Sequence, residues 1–178
     1  KAERRQRIVR IWSAGCATGE EPFSLAMSLL DCCARVGADA IVPTVIGTDL
    51  DRTALATAKR AEYPIRQLEQ IPKYDQMRYV EVSGEKFTMK PNVRDIVRLQ
   101  YLNLFEDPPI HGVDAVFCRN VFIYFDRSLQ EQLLMKFYNS LRPRGYLVMG
   151  KSETLIQEAK QIFGEVDLNC RIYRRSHE

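Results

Sequence analysis

Hydrophobic positions along the chain follow two alternating patterns. Short runs of apolar residues are typical of buried strands, and apolar residues spaced three to four apart are typical of amphipathic helices. The predicted strands are residues 9–14, 42–49, 96–101, 113–118, 146–149 and 169–174. The predicted helices are residues 21–34, 52–61 and 128–141, and the sequence Pro143-Arg144-Gly145 is expected to end the last helix as a turn. This alternation predicts an α/β fold with a doubly wound, mostly parallel sheet.

A different pattern interrupts the alternation between residues 74 and 95. Two short extended runs, residues 78–82 and 86–89, flank the turn-forming sequence Ser83-Gly84-Glu85, which is a hairpin signal. The sequence therefore predicts one domain over residues 1–178 that contains a small antiparallel β insertion at about residues 74–95.

Composition and charge are those of an ordinary soluble protein and argue against two kinds of partner. Hydrophobic residues make up 46% of the chain and charged residues 28%, both usual for a globular domain. The net charge of +3 is too small to indicate nucleic-acid binding. No apolar run approaches the roughly 18 residues that span a bilayer. We therefore expect no nucleic-acid partner and no membrane insertion, and we expect a monomer in the cytoplasm.

Cysteines and an N-terminal basic cluster are the remaining compositional features. The cysteines are Cys16, Cys32, Cys33, Cys118 and Cys170. Their spacings match no zinc site, so we expect reduced thiols and no bound metal. The basic cluster consists of Lys1, Arg4, Arg5, Arg7 and Arg10. Two interpretations of the cluster stay open: it is the solvated end of a linker helix, or it meets an acidic protein substrate.

The segment of residues 12–21 follows the first predicted strand and opens the first predicted helix. Its small residues would let the backbone approach a ligand closely, and those at the turn are Ala14, Gly15 and Cys16. The segment lacks the lysine of a phosphate-binding P-loop and the GxGxxG spacing of a dinucleotide fold. Glu20 and Glu21 would repel a pyrophosphate but suit a ligand that carries an ammonium or sulfonium charge. Alternatively, both glutamates only favour the start of the helix through its dipole.

Polar residues also follow the second and third predicted strands. Asp49, with Leu50 beside it, can accept hydrogen bonds from both ribose hydroxyls of an adenosine, whereas Asp51 is expected to cap the next helix. Asn103, followed by Leu104, can hydrogen-bond the edge of an adenine, although a loop asparagine also commonly satisfies its own turn. An acidic ribose site without a phosphate site favours adenosylmethionine over NADP.

Arg119 and Asn120 follow the fourth predicted strand, near the point where a transferred methyl group would lie. They supply hydrogen-bond donors and an amide carbonyl, and Tyr124 supplies an aromatic ring with a polar end. We expect Phe122 and Phe125 to pack in the core. Cys118, which precedes this segment, is also expected to pack in the core rather than to act as a nucleophile.

These segments together resemble the CheR family of chemotaxis receptor glutamate O-methyltransferases. The matching strings are WSAGCATGEEPFS at residues 12–24, GTDLD at 47–51, NL at 103–104 and FCRNVFIYFD at 117–126, with further matches at 142–147 and 150–153. The resemblance covers nearly the whole chain in order. The Glu-Glu-Pro and Cys-Arg-Asn-Val-Phe-Ile-Tyr-Phe strings are specific to that family, unlike a general glycine-rich loop.

The resemblance implies a Rossmann-like domain that uses S-adenosylmethionine, releases S-adenosylhomocysteine and esterifies glutamate side chains in the cytoplasmic domains of chemoreceptors. It places Glu20 or Glu21 beside the methionine end of the cofactor and Asp49 at the ribose. It implies catalytic roles for Arg119 and Tyr124, with Tyr124 near the transferred methyl group. The implied cofactor-binding residues are Ala14, Gly15, Cys16, Glu20, Glu21, Asp49, Leu50, Asn103, Leu104, Arg119 and Asn120.

The implied reaction needs little acid–base catalysis. A glutamate carboxylate is already ionised at neutral pH, because its reference pKa is about 4.3. The protein mainly aligns that carboxylate with the methyl group. We therefore expect Tyr124 to orient the substrate or line the methyl path rather than act as a base, and we expect no covalent enzyme intermediate.

Two departures from the family and two rival functions also follow from the sequence. The family usually begins with a helical N-terminal domain, which we expect this chain to lack, so that it binds cofactor weakly or is inactive by itself. The hairpin around Ser83-Gly84 is short, so we expect no binding of a receptor's C-terminal tether.

Two rival functions stay open. One is a methyltransferase for a small molecule or nucleic acid, and the other is a cofactor-binding regulatory or scaffold domain without full activity.

Overall fold

The computed structural model describes residues 7–37 and 41–176. Its strands are β1 (Arg7–Ala14), β2 (Ile41–Asp49), β3 (Glu62–Pro64), β4 (Val80–Ser83), β5 (Lys86–Met89), β6 (Val97–Tyr101), β7 (Val113–Cys118), β8 (Leu141–Met149), β9 (Phe163–Asp167) and β10 (Ile172–Arg175). Its α-helices are α1 (Glu20–Arg35), α2 (Arg52–Arg60), α3 (Lys73–Tyr79), α4 (Pro91–Arg94) and α5 (Arg127–Ser140). Segments of 3-10 helix cover Ile65–Gln70, Phe122–Tyr124 and Gln157–Gln161. No helix in these ranges combines the length and the apolar character needed to cross a membrane.

Seven strands form one sheet in the order β6-β2-β1-β7-β8-β10-β9. The pairings from β6 through β8 are all parallel, and β10 pairs antiparallel with both β8 and β9. This arrangement confirms the predicted doubly wound, mostly parallel α/β fold. Because the chain runs outward from β1 to β6 before it crosses to β7, the loops after β1 and β7 lead to opposite sides. They leave a crevice at the carboxyl edge of the sheet.

Trp12 on β1 anchors the core on one face of the sheet. Its side chain is fully buried, and its ring packs edge-on against Phe137 of α5 with 5.3 Å between the ring centroids. The indole N–H donates to the hydroxyl of Thr48 on β2 over 2.9 Å, which satisfies a donor that burial would otherwise leave without a partner. This contact joins the neighbouring strands β1 and β2 through their side chains as well as through their backbones.

The second face of the sheet is covered by α1 and by the small antiparallel sheet β3-β5-β4. The predicted β insertion is thus confirmed, with the hairpin turn between β4 and β5. Tyr63 of β3 packs against Phe87 of β5, with 5.6 Å between the ring centroids, and against Phe23 of α1 at 6.3 Å. These aromatic contacts fix the insertion to α1 and so to the carboxyl edge of the main sheet.

Helix α3 replaces part of a predicted strand. The predicted extended run over residues 78–82 is wrong at Arg78 and Tyr79, and β4 begins only at Val80. The Tyr79 hydroxyl donates to Asp31 of α1 over 2.6 Å, and Arg78 forms an ion pair with the same carboxylate. Contacts with a distant helix therefore hold a helical turn that local propensity does not indicate. The short strand β3 was likewise not predicted.

The predicted turn at residues 143–145 is also wrong. These residues lie inside β8, which begins at Leu141 directly after α5. Leu141 pairs with Val113, and the register shifts before Tyr146 pairs further along β7. Arg144 has a φ of 68° within this irregular part of the strand, as expected where extra residues are accommodated by a bulge.

The edge of the sheet at β9 and β10 differs from the sequence prediction as well. The predicted last strand begins at residue 169, whereas β10 begins at Ile172. β9 was not predicted, because only Phe163 of its residues is buried. An edge strand with a single buried side chain carries little hydrophobic pattern.

The basic cluster is not the end of a helix where the structure describes it. Arg7 and Arg10 lie in β1, and the backbone N–H of Arg10 donates to Asp114 over 2.8 Å. Lys1, Arg4 and Arg5 lie outside the described residues.

Replacing Thr48 with valine should lower the free energy of unfolding by about 1–3 kcal/mol, because the buried indole N–H of Trp12 would lose its partner. Urea unfolding followed by the fluorescence of Trp12, the only tryptophan in the chain, measures the effect. Thr44→Val is the matched control, because Thr44 lies on the same strand and is only half-buried. A Thr48→Val protein as stable as the unmodified chain would contradict the role given to this hydrogen bond.

Candidate functional site

The carboxyl ends of β1, β2, β6 and β7 surround a cleft of about 980 Å³, at the upper end of the roughly 300–1,000 Å³ typical of ligand sites. The structure brings eleven of the twelve predicted site residues to its walls: Gly15, Cys16, Glu20, Glu21, Asp49, Leu50, Asn103, Leu104, Arg119, Asn120 and Tyr124. Ala14 is fully buried at the end of β1 and does not line the cleft. Which of these residues contact a ligand stays a prediction.

The loop between β1 and α1 is held tightly against its neighbours. The backbone N–H groups of Gly15 and Cys16 both donate to the carbonyl of Thr48, over 2.8 and 2.9 Å. Gly15 has a φ of +80°, and a Cβ there would lie 2.6 Å from Cγ2 of Val121. Glycine is therefore required at this position both for its backbone conformation and for the close approach of the loop that follows β7.

The two glutamates of the first helical turn have different surroundings. Glu21 accepts a hydrogen bond from the hydroxyl of Ser13 over 2.7 Å and forms an ion pair of 3.4 Å with Arg119. Glu20 is exposed and accepts from the hydroxyl of Thr18. Both positions fit the interpretation that acidic residues favour a helix start, but only Glu21 connects the β1 side of the cleft with the β7 side. Which of the two glutamates contacts a positively charged ligand group stays a prediction.

Asp49 and Asp51 have different roles, and Asp51 is the helix cap that the sequence predicted. Asp51 caps α2 by accepting from the N–H groups of Thr53 and Ala54. Asp49 lies at the cleft, where one carboxylate oxygen accepts from Ala17 N–H over 2.7 Å and the other from Asp51 N–H over 2.9 Å. A carboxylate oxygen can accept more than one hydrogen bond, so both oxygens of Asp49 retain capacity for ligand hydroxyls.

The turn after β6 is held partly by hydrogen bonds among its own residues. The side-chain oxygen of Asn103 accepts from Phe105 N–H over 3.0 Å, and the Asp107 carboxylate accepts from Asn103 N–H over 2.7 Å. The ammonium group of Lys136 on α5 donates to the carbonyls of Leu104 and Asp107. Burial lowers the pKa of Lys136, and the nearby charge of Asp107 opposes that effect. The Asn103 carbonyl thus serves the turn, and the side-chain NH₂ group is the part of this residue left to donate to a ligand.

The segment after β7 carries the two predicted catalytic residues. Arg119 and Tyr124 are both exposed, and Tyr124 lies on a 3-10 turn with 77% of its surface accessible. Phe122 is buried in the core as expected. Phe125 packs partly buried against the same core and also lines the cleft, where it packs edge-on against Phe105 with 4.8 Å between the ring centroids. This aromatic pair closes the apolar side of the cleft between β6 and β7.

The cysteines near the cleft are packing residues. Burial, and then the negative charge of Asp49, raise the pKa of Cys16 to about 12. Burial raises the pKa of Cys118 in the same direction. Such thiols are protonated at neutral pH and are therefore poor nucleophiles. All five cysteines of the chain are free.

Several cleft residues were missed by reasoning from the sequence. They are Ala17, Ser24, Leu25, Ser28, Leu102, Phe105, Phe117, Val121 and Phe125. The residues at positions 24 and 28 lie one helical turn apart on α1, and that spacing could have revealed a face turned towards the loop after β1. Within residues 7–37 and 41–176, no group of three or more histidine, cysteine, aspartate or glutamate side chains could hold a metal ion.

The fold is that of S-adenosylmethionine-dependent methyltransferases. The methyltransferase SibL in its apo form has a similar structure, with a TM-score of 0.52, 16% identity, and coverage of 83% of this chain and 32% of SibL. PKMT2 from Rickettsia typhi in complex with AdoHcy gives a TM-score of 0.50 at 15% identity, and the match covers 79% of this chain and 20% of PKMT2. At such identities the likeness concerns the fold alone.

The sequence identifies the family. Residues 1–172 match the profile of the CheR methyltransferase, SAM binding domain. The chain therefore belongs to the CheR methyltransferase family, and its cofactor is S-adenosylmethionine.

Curated relatives carry the same family name. Chemotaxis protein methyltransferase 2 of Pseudomonas aeruginosa is 37% identical over 158 residues, covering 85% of this chain and 55% of the relative. The chemotaxis protein methyltransferase of Borreliella burgdorferi is 35% identical over 150 residues, covering 83% and 53%. That of Listeria monocytogenes is 33% identical over 165 residues, covering 93% and 60%. The chain thus spans somewhat more than half the length of these relatives.

Gly15→Ala should destabilise the chain more than Gly84→Ala, by about 1–3 kcal/mol. Both glycines have a positive φ, +80° and +58°, so alanine meets backbone strain at both positions. Only at Gly15 does the added Cβ collide with a neighbour, Val121, whereas nothing lies within 4 Å at Gly84. Chemical denaturation of the two variants measures the difference, and equal losses would contradict the close approach of the two loops.

Proposed function

We propose that this chain is the cofactor-binding and catalytic domain of an enzyme that methylates glutamate side chains in the cytoplasmic domains of chemoreceptors and produces glutamate methyl esters. One observation carries the proposal. A single cleft contains the acidic pair Glu21 and Asp49 on the β1–β2 side. The same cleft contains the exposed Arg119 and Tyr124 on the β7 side. A cationic cofactor and an anionic acceptor therefore have complementary walls in the same cavity.

The donor groups of the cleft fit S-adenosylmethionine. Glu21 offers a carboxylate to the ammonium group at the methionine end, and Asp49 offers acceptors to the ribose hydroxyls. Asn103 and Leu104 line the same cleft, and in this scheme the NH₂ group of Asn103 and the backbone beside Leu104 contact the adenine. S-adenosylmethionine supplies an electrophilic methyl group on a sulfonium. The cofactor carries no phosphate, which agrees with the absence of a lysine from residues 12–21.

The chain's own residues position the acceptor in this scheme. Arg119 offers a guanidinium to the incoming carboxylate and keeps it ionised beside the methyl group. Tyr124 orients the acceptor at the mouth of the cleft and need not accept a proton, because a carboxylate already carries the attacking electron pair. The gain in rate then comes mainly from alignment of the two reactants.

The interaction partners are part of the proposal. We expect the domain to act in the cytoplasm, as a monomer, on receptor segments rich in glutamate. The strands of the small sheet contain only three or four residues, which supports our expectation that it does not bind a receptor's C-terminal tether. A cofactor-binding regulatory domain without full activity is the competing possibility, because the chain spans only part of the length of its relatives.

Asp49→Asn should weaken the binding of adenosylhomocysteine by about 10- to 100-fold, because hydrogen bonds to a charged acceptor are worth about 1.5–3 kcal/mol. Isothermal titration calorimetry measures the affinity. Asp51→Asn is the matched control, because asparagine still caps a helix and Asp51 does not line the cleft. If the full-length protein did not bind adenosylhomocysteine at all, the methyltransferase function would be excluded.

Tyr124→Phe should retain methyl transfer within about tenfold, whereas Arg119→Ala should lose about 100-fold or more in kcat. The assay transfers a labelled methyl group to a purified chemoreceptor cytoplasmic domain and measures the label released by mild base, which marks an ester. Abolition of activity by Tyr124→Phe at unchanged cofactor affinity would show that Tyr124 has an obligatory chemical role. Base-stable labelling, or labelling of RNA or small acids instead, would refute the proposed substrate.

A further inference from the structure

Glu153 is a buried carboxylate directly beneath the cleft. It lies just after β8, and its residue surface is only 3% exposed. One carboxylate oxygen accepts from the N–H groups of Val121 and Phe122, each over 2.9 Å. The other accepts from Gly150 N–H over 2.6 Å and from Asn120 N–H over 3.1 Å. Four backbone donors from two separate loops thus converge on one side chain.

This environment accounts for a charged group in the protein interior. A carboxylate only accepts hydrogen bonds, and a buried one is costly unless donors surround it. Three successive N–H groups, from residues 120–122, form a concave set of donors of the kind that binds anions. Here the protein's own side chain occupies that set. Glu153 therefore uses its whole hydrogen-bonding capacity to hold backbone.

The backbone that Glu153 holds has an unusual conformation. Asn120 has a φ of 61°, a left-handed region that residues other than glycine seldom adopt. Position 150 is restricted by the same contact, because a Cβ there would lie 2.6 Å from the Glu153 carboxylate and 3.0 Å from Asn120 N. Glu153 thus bonds the strained Asn120 directly and bonds the two residues that follow it.

The segment held in this way is the one that contains the predicted catalytic residues. Asn120 and Val121 line the cleft, and they lie between Arg119 and Tyr124 in the sequence. Glu153 itself does not line the cleft. Its influence on a ligand must therefore pass through the backbone that it fixes.

We propose that Glu153 is a positioning residue that holds the segment of residues 119–124 in the geometry required for methyl transfer. The catalytic part of this inference rests on the proposed function, whereas the structural part does not. Without the four hydrogen bonds, Asn120 would relax from its left-handed conformation and residues 121–122 would lose their support, so the guanidinium of Arg119 and the ring of Tyr124 would lose their alignment with the acceptor. A displacement of about 1 Å can reduce a rate about 100-fold.

The first experiment measures amide hydrogen exchange in the full-length protein, by mass spectrometry with peptide-level resolution. Glu153→Gln keeps the shape of the side chain but turns an NH₂ group towards backbone donors. We expect faster exchange in peptides that contain residues 120–122 and 150, and unchanged exchange in α1 and β2. Glu158→Gln is the matched control, because Glu158 lies nearby on the chain and its side chain is 48% exposed. Unchanged exchange at residues 120–122 in Glu153→Gln would overturn the proposal.

The second experiment separates positioning from overall stability. We expect Glu153→Gln to lower kcat about 100-fold, while the dissociation constant for adenosylhomocysteine rises less than about tenfold, because Glu21 and Asp49 lie on the other wall. The double variant with Arg119→Ala should be hardly worse than Arg119→Ala alone, because both changes remove the same alignment. Additive losses, or a loss of activity that only follows the unfolded fraction, would show that Glu153 has a purely structural role.

The outcomes distinguish this inference from the proposed function. If the unmodified protein methylates no receptor but Glu153→Gln still loosens residues 120–122, the proposed function fails and the structural part of the inference stands. If methylation is observed and exchange does not change, the inference fails alone. Should Glu153→Gln not fold, Glu153→Asp keeps the charge on a shorter side chain. Exchange at the same residues should be faster in Glu153→Asp than in the unmodified protein, and no increase there would again overturn the proposal.

Discussion

The parallel pairing of β1 with β2 is the constraint on which the rest of the structure depends, and Thr48 is its critical position. Thr48 pairs with Ala14 at the carboxyl ends of the two strands. Its hydroxyl accepts from Trp12 in the core, and its carbonyl accepts from Gly15 and Cys16 in the cleft loop. A shift of one residue in register would reverse the faces of the strand. The same shift would therefore turn Trp12 away from Phe137 and displace the loop, so core packing and cleft geometry are determined together.

The loops after β1, β6 and β7 are each held by a group that belongs to another element. Asp49 binds the N–H of Ala17, and the hydroxyl of Tyr63 donates to the carbonyl of Thr18 over 2.9 Å. Lys136 holds the turn that follows β6, and a carboxylate after β8 holds the segment that follows β7. A site whose loops are supported in this way is largely formed before any ligand arrives, which lowers the entropic cost of aligning two reactants.

The position of the site could be predicted from the sequence, because parallel strands place their carboxyl ends along one edge of a sheet. A strand pattern followed by a small or acidic residue was sufficient to predict that Gly15 and Asp49 lie at this edge, and both residues line the same cleft. The supporting contacts could not be predicted in this way. Glu153 was recognised only as part of a string that matches the family. Three of its hydrogen-bond donors are the N–H groups of residues 120–122, which lie 31 to 33 positions earlier in the chain. Helix α3 was missed for a similar reason, because its buried Tyr79 depends on Asp31 of α1, 48 positions away.

The ion pair between Glu21 and Arg119 has a consequence for how the protein is made. The two residues stand on opposite walls of the cleft and lie 98 positions apart in the chain. Synthesis proceeds at about 5–20 residues per second, so the first wall emerges from the ribosome seconds before the second exists. Strands β1 and β2 can pair during that interval, but the cleft stays open on one side until β7 inserts beside β1. The two walls of the cleft can therefore face one ligand only after β7 has joined the sheet beside β1.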